Sequence, residues 1–312
     1  MKVLITGGLG HIGSHLTKTL PTLIEGCELV VVDNLLTQRY SSLFSFNQTR
    51  AFTFFEESVE NLSVEWFESH GPFDVVIHLA AITDAAGNVD NREGIYSNNF
   101  SGTRNLSEIC LATDTALIFP SSTSVYGTQE SVVDESCNEL RPQSPYAECK
   151  LAEEKILLES SMQGLRVTIL RLGTIHGASI GMRFHTAVNR FIFQTKLGLD
   201  LTVWRTALNQ KRPYLSLSDV SAAIAHTIKL DLFQGDIFNI VTANWTVQEI
   251  INHIEANTES ECAIKLVDTA IMNQLSYEVS SNKFQDTGFS FSGNLDQDIG
   301  DTWSLLSGFR DG

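Results

Sequence analysis

Val3-Leu4-Ile5-Thr6-Gly7-Gly8-Leu9-Gly10-His11-Ile12-Gly13 decides how the rest of the chain reads. Three consecutive apolar residues run into a glycine turn, and the pattern beyond it is helical through about Leu20. Strand, glycine turn and helix start are the first half of a βαβ unit. Glycines 7, 10 and 13 stand in the spacing G-x-x-G-x-x-G. Gly7 permits the tight turn, Gly10 lets backbone approach a pyrophosphate, and Gly13 lets the helix pack closely. The free N–H groups and positive dipole end of the helix then suit an anion. A glycine triplet alone is a weak signal; its place between a strand and a helix makes it a dinucleotide loop. Gly7, Gly10, His11, Ile12 and Gly13 are therefore candidate cofactor contacts.

The next strand, Leu29-Val30-Val31-Val32, ends at Asp33, 20 residues beyond Gly13. A carboxylate there accepts from both ribose hydroxyls and repels a 2′-phosphate. Asn34 and Leu35 follow, with no arginine beside them, so NAD is expected as the cofactor rather than NADP. Further apolar runs appear at Phe52–Phe55, Asp74–Leu79, Ala116–Phe119 and Arg166–Leu170, separated by helical patterns. Continuous apolar strands alternating with helices indicate an α/β protein with a doubly wound parallel (Rossmann) sheet covered on both faces.

After about Gly173 the rhythm becomes irregular, although residues 219–230 still read as a helix and Phe238–Val241 as a strand returning to the main sheet. The expected division is a nucleotide-binding domain over 1–173 with a return segment near 214–242. A smaller interleaved C-terminal substrate lobe takes 174–213 and 243–312. The chain carries a net charge of −16, which disfavours nucleic acid and anionic membranes as partners. Between Ser160 and Ser218, however, eight Lys and Arg face a single acid, Asp200, so a local positive pocket is available there. Five cysteines without CxxC spacing argue against a zinc site or disulfide framework and suit a reducing compartment. No leader pattern and no bilayer-length apolar run is seen, so a cytoplasmic protein is expected.

Tyr146-Ala147-Glu148-Cys149-Lys150 has the pattern Y-x-x-x-K behind Ser144-Pro145, a serine cap with proline at the first helical position. Four residues on a helix bring phenol and ammonium to one face. A free phenol, with a pKa of about 10, is a poor base near neutral pH; an adjacent cation favours its phenolate. The run Pro120-Ser121-Ser122-Thr123-Ser124-Val125-Tyr126-Gly127 follows a strand end, where open α/β sheets place ligands. Ser122 there is positioned to hydrogen-bond the reacting oxygen.

TGGLGHIG, Asp33, HLAA (78–81), NNFSGT (98–103), SSTSVYG (121–127), YAECK (146–150) and RPYLSLSDV (212–220) together resemble the extended short-chain dehydrogenase/reductase superfamily, and within it the NAD-dependent nucleotide-sugar epimerase/dehydratase family. The resemblance implies Ser122, Tyr146 and Lys150 as the catalytic set. Leu79, Ala80, Ala81, Asn99 and Asn34 join the cofactor contacts, with Tyr146 and Lys150 also touching it. Substrate contacts fall to Ser122, Thr123, Thr174, Asn189 and Arg212, with Arg212 on a substrate diphosphate. It also implies a homodimer formed by helices near 93–112 and 146–163. Glu56-Glu57-Ser58 and Thr174-Ile175 depart from the family pattern.

Dehydratases of the family carry Asp-Glu where this chain has Thr123-Ser124, and neither hydroxyl protonates a leaving hydroxide as a carboxylic acid does. An epimerase of a nucleotide-linked sugar, acting through a transient ketone, is therefore expected. The alternatives are an NAD(H)-dependent dehydrogenase or reductase of a non-nucleotide alcohol or ketone, a sugar dehydratase, or a dinucleotide-sensing regulator. His78 reads as a core histidine, His11 as a backbone contributor, and His176 and His185 as borders of the substrate pocket. No metal-ligand spacing is present.

Overall fold

A computed structural model describes residues 1–44, 51–83, 92–268 and 277–308. Its strands, in chain order, are β1 Lys2–Thr6, β2 Glu28–Asp33, β3 Thr53–Glu56, β4 Val75–His78, β5 Ala116–Ser122, β6 Val167–Leu172, β7 Thr174–His176, β8 Leu201–Trp204, β9 Lys211–Ser216, β10 Gln234–Ile240, β11 Ala243–Thr246 and β12 Ile264–Val267. Seven of them form one sheet in the order β10-β6-β5-β4-β1-β2-β3. Every pairing in it is parallel.

The apolar runs explain the layers. Along β1, Val3 and Ile5 enter one hydrophobic core while Leu4 enters the other. Successive strand residues point to opposite faces, so a run without polar interruption serves a sheet buried on both sides. Helices His11–Leu23 and Leu217–Lys229 pack together over the first core. Helices Ser101–Ala112 and Pro145–Ser161 cover the second. The chain leaves β1 in one direction and re-enters beside it at β4 in the other. That reversal opens a crevice at the carboxyl ends of β1 and β4, the expected ligand position in such sheets. Register aligns these ends: Thr6 pairs with Val32 and with His78, and Ser122 with Leu172.

β7, β9 and β11 form a separate three-stranded sheet, and β8 pairs with β12. Val188, Phe191, Ile192, Tyr214, Ile250, Ile254 and Ile299 fill a third core between helices Ala187–Lys196, Val247–Thr258 and Leu295–Leu305. The return to the main sheet begins with helix Leu217–Lys229 and β10; β9, which spans 214, belongs to the small sheet. Of the stretch 243–312 assigned to the small lobe, residues 269–276 and 309–312 lie outside the described residues. Among the described residues no helix is long and apolar enough to cross a membrane.

Candidate active site

Gly7 has φ +66°, and a β-carbon on it would lie 2.5 Å from the Ala80 nitrogen. Both the backbone conformation and the neighbouring strand end therefore demand glycine. A β-carbon on Gly13 would lie 2.5 Å from the Gly8 α-carbon, so the helix sits directly on its own entry loop. Helix His11–Leu23 has no side-chain cap and no acidic residue in its first turn. Its first N–H groups and dipole end thus stay available to an anion.

Side chains around this loop hold a second segment against it. His11 Nε2 donates to the Gly177 carbonyl at 2.9 Å. Burial pushes its imidazole down to about 3, outweighing the hydrogen bond to Gly177, so the ring is neutral. Ser179 Oγ donates to the His11 carbonyl at 2.9 Å, and the Gly181 N–H donates to Ser14 Oγ at 2.9 Å. Arg39 donates to the carbonyls of Gly181 and Met182. Asp33 accepts from the Leu9 N–H at 3.1 Å and the Leu35 N–H at 2.9 Å, each on a different carboxylate oxygen. Two lone pairs per oxygen leave acceptor capacity for a ribose.

The helix that carries Tyr146 and Lys150 forms as its sequence predicts: Ser144 accepts from the Ala147 N–H and Pro145 opens the helix Pro145–Ser161. Lys150 is 3% exposed, with its ammonium 4.3 Å from the centre of the Phe119 ring and 6.0 Å from that of Tyr146. Burial works against its charge, but Glu153 and Tyr146 outweigh burial and hold the ammonium above its ordinary range. Tyr146 ends with its phenol above the usual value. Burial raises it, Lys150 and Arg183 lower it, and Glu153 and Cys149 raise it again. The adjacent cation therefore offsets burial only in part.

Ser122 caps the short turn Thr123–Tyr126, accepting from the Ser124 N–H at 3.2 Å and sharing a 2.8 Å hydrogen bond with Ser124 Oγ. Below it, Ser121 donates to Glu154 at 2.5 Å. Arg171 of β6 grips Glu154 with two donors, at 2.9 and 2.7 Å, and the Tyr126 hydroxyl with a third, at 2.9 Å. This buried bidentate pair locks the ends of β5 and β6 to helix Pro145–Ser161.

One continuous cavity of about 670 Å³ joins these parts, a size typical of ligand sites. Gly7, Gly10, His11, Ile12, Gly13, Asp33, Asn34, Leu79, Ala80, Ala81, Ser122, Tyr146, Lys150 and Thr174 all line it. Four other candidates lie elsewhere. Thr123 is 2% exposed and turns its hydroxyl to the Leu172 carbonyl and to Tyr277. Asn189 is fully buried and bonds Gly177 through both its amide oxygen and its nitrogen. Arg212 stands on β9 opposite Trp245, outside the cavity lining. Asn99 accepts from the Ile82 N–H and donates to its carbonyl; Asn98 is the one that lines the cavity. Both neighbours lie within a π-helical turn over Tyr96–Phe100. Such turns recur at functional sites because the extra residue re-aims side chains.

Arg39, Arg183, His185 and Glu57 also line the cavity, and none was singled out for it from sequence except His185. Arg183 belongs to the basic stretch that sequence flagged, yet spacing gives no means of telling it from Arg190. His176 is fully buried with Nδ1 2.9 Å from Asp298, away from the cavity. That contact lacks hydrogen-bond geometry.

A family model described as the NAD dependent epimerase/dehydratase family matches residues 3–240. The chain is 31% identical over 273 residues to a UDP-N-acetyl-alpha-D-glucosaminuronate decarboxylase from Bacillus cytotoxicus, covering 84% of this chain and 82% of that one. It is 36% identical over 168 residues to a UDP-glucose 4-epimerase from Yersinia enterocolitica, covering 52% and 49%. The crystal structure of the Thermus thermophilus UDP-glucose 4-epimerase, complexed with NAD, superposes with a TM-score of 0.82 at 25% identity over 99% of both chains.

Proposed function

The chain belongs to the NAD-dependent epimerase/dehydratase family, and from that premise we propose that it inverts C4 of a UDP-linked sugar by oxidising it to a ketone and reducing it from the other face. The observation that carries this reading is the meeting of Ser122, Tyr146 and Lys150 in the cavity that the glycine loop and Asp33 also line. NAD is the cofactor. The chain fits it: the uncapped helix start suits the pyrophosphate, and Asp33 keeps acceptor capacity for a ribose.

When bound, NAD supplies the hydride acceptor and donor. The chain does the rest. Tyr146 is proposed to act as its phenolate, the form that the Lys150 charge favours against burial, taking the proton from the sugar hydroxyl and later returning it as the phenol. Ser122 holds the reacting oxygen through its hydroxyl. Lys150 stabilises the phenolate by charge. The hydroxyls of Thr123 and Ser124 leave the turn after β5 without a carboxylic acid to expel water, which favours epimerisation over dehydration. Thr174 and Arg183 extend the lining on the substrate side. Arg212 and Asn189 are proposed to act from outside that lining, Arg212 on the diphosphate and Asn189 by holding Gly177. Arg212→Ala tests the first: a roughly tenfold higher KM with kcat kept, the loss of about 1.4 kcal/mol, supports it. An unchanged KM leaves Arg183 as the arginine at the substrate end. A cytoplasmic homodimer, paired through the stretches near 93–112 and 146–163, completes the proposal on the strength of the family resemblance.

Decarboxylation is the second reading, favoured by the Bacillus cytotoxicus relative. Oxidation at C4 of a uronic acid gives a β-keto acid that loses carbon dioxide with the same tyrosine base. Incubating the NAD-loaded protein with UDP-glucose, UDP-N-acetylglucosamine and UDP-glucuronic acid under proton NMR decides between them. Epimerisation gives the C4 epimer with no change in carbon count. Carbon dioxide release supports the second reading, and a requirement for added NADH supports a reductase.

A further inference from the structure

Glu153 lies one turn beyond Lys150 on the catalytic helix and is fully buried. Its Oε2 sits 3.2 Å from the Lys150 ammonium. The approach is ionic rather than a formed hydrogen bond, for Oε2 has no hydrogen-bond partner among the described residues. Its Oε1 accepts from Thr103 Oγ1 at 2.5 Å. The chain of contacts then continues: Thr103 Oγ1 meets His78 Nε2 at 3.2 Å, His78 Nδ1 meets Thr6 Oγ1 at 2.8 Å, and the Ala80 N–H donates to Thr6 Oγ1 at 3.4 Å.

Donor and acceptor counts fix the direction of this chain. Thr103 spends its hydrogen on the carboxylate, so it accepts from His78 Nε2–H. His78 then accepts at Nδ1 from the Thr6 hydroxyl, which itself accepts from Ala80. Burial, with the Lys150 charge adding to it, pushes His78 down to about 3, which agrees with a neutral ring carrying one hydrogen. Every donor points toward Glu153, as expected where the chain ends on an anion.

We propose that Glu153 is a positioning residue: its buried carboxylate holds the Lys150 ammonium in place and in its charged form, while Thr103, His78 and Thr6 tie that pair to the cofactor-lining backbone at Ala80. The proposal rests on the epimerase reading for what Lys150 does, but not for the contact itself. Other groups face the pair: Phe119 from β5, His78 from β4, Thr103 from helix Ser101–Ala112, Tyr146 and Cys149 from their own helix. Arg183, from the segment after β7, reaches Tyr146 by charge. Glu154, the next residue, is already spent on Arg171 and Ser121, so Glu153 is the carboxylate that answers Lys150.

The test reads Lys150 without any sugar substrate. In protein labelled with ¹⁵N-lysine, the Lys150 side-chain resonance, identified by its loss in Lys150→Met, is titrated in the parent, in Glu153→Gln and in Glu153→Asp. An opposite charge at this range moves a titration by about one pH unit or more. Glu153→Gln is therefore expected to lower the Lys150 midpoint by about one pH unit at least, and Glu153→Asp by less. An unchanged midpoint in folded Glu153→Gln overturns the proposal, whatever the protein turns over. If Glu153→Gln does not fold, Lys150→Met/Glu153→Gln carries the test. Removal of both charges is expected to restore folding, and a double variant as unfolded as the single overturns the pairing.

Discussion

Tyr146, Lys150 and Ser122, the proposed catalytic set, can be read one residue at a time and do line one cavity, because the chemistry proposed for them needs particular residue types at particular spacings. Tyr146→Phe is expected to lower turnover by about 10²-fold or more while NAD binding persists, as a lost general base does; kcat and bound dinucleotide measured on one preparation check this. The surroundings of these residues were less legible. Glu153 and Glu154 look alike in sequence, yet one faces Lys150 and the other Arg171. The choice depends on which strand lies under each, which spacing along one helix does not reveal. Arg212 matches a family position and Asn189 lies near one, but both stand outside the cavity lining, for their sheet and helix face other neighbours. His78 is the core histidine that its strand position predicts, whereas His11, expected to contribute backbone, also uses its ring to hold Gly177. His11 and His78 are buried and lowered to about 3. A depressed folded-state value means that the unfolded chain binds the extra proton below about 6.5, so stability is full above that pH and is lost as pH falls toward 3. Each histidine contributes a slope of about 1.4 kcal/mol per pH unit in that window. Urea unfolding of the parent and of His11→Gln between about pH 6.5 and 4.5 should differ by that slope; parallel curves would contradict it.

At the scale of elements, strands with no polar interruption announced the doubly wound sheet, and β10 returns to it where Phe238–Val241 predicts. The small sheet was not legible: β7 and β11 are short and half-buried, so no alternation marks them. The joint between elements that matters most is the Glu154–Arg171 pair, which ties helix Pro145–Ser161 to β6 with both side chains almost fully buried. Glu154→Gln leaves the guanidinium without its counter-charge and is expected to cost about 3–5 kcal/mol, read from the urea midpoint. The segment Gly177–Met182 is fastened to the glycine loop by His11, Ser14, Ser179 and Arg39. Arg39→Met, which keeps the aliphatic stem and removes the charged donor, is expected to speed NAD release about tenfold, since a hydrogen bond from a charged group contributes about 1.5–3 kcal/mol. An unchanged release rate would mean that the segment holds without Arg39.

For the molecule as a whole, an acidic chain of net charge −16 brings three cations, Arg39, Lys150 and Arg183, to one cavity at the carboxyl edge of its sheet. Charge is concentrated where anionic groups are proposed to bind, and each cation is held by the fold. The central claim is that one carbon is oxidised and re-reduced without its hydrogen leaving the cavity. The most direct measurement follows that hydrogen: whichever UDP-sugar of the panel is turned over is prepared with deuterium at C4 and converted by the NAD-loaded protein. The account predicts that both epimers keep the deuterium at C4 and that none reaches solvent. Deuterium lost to water, or recovered in free reduced dinucleotide, would contradict it.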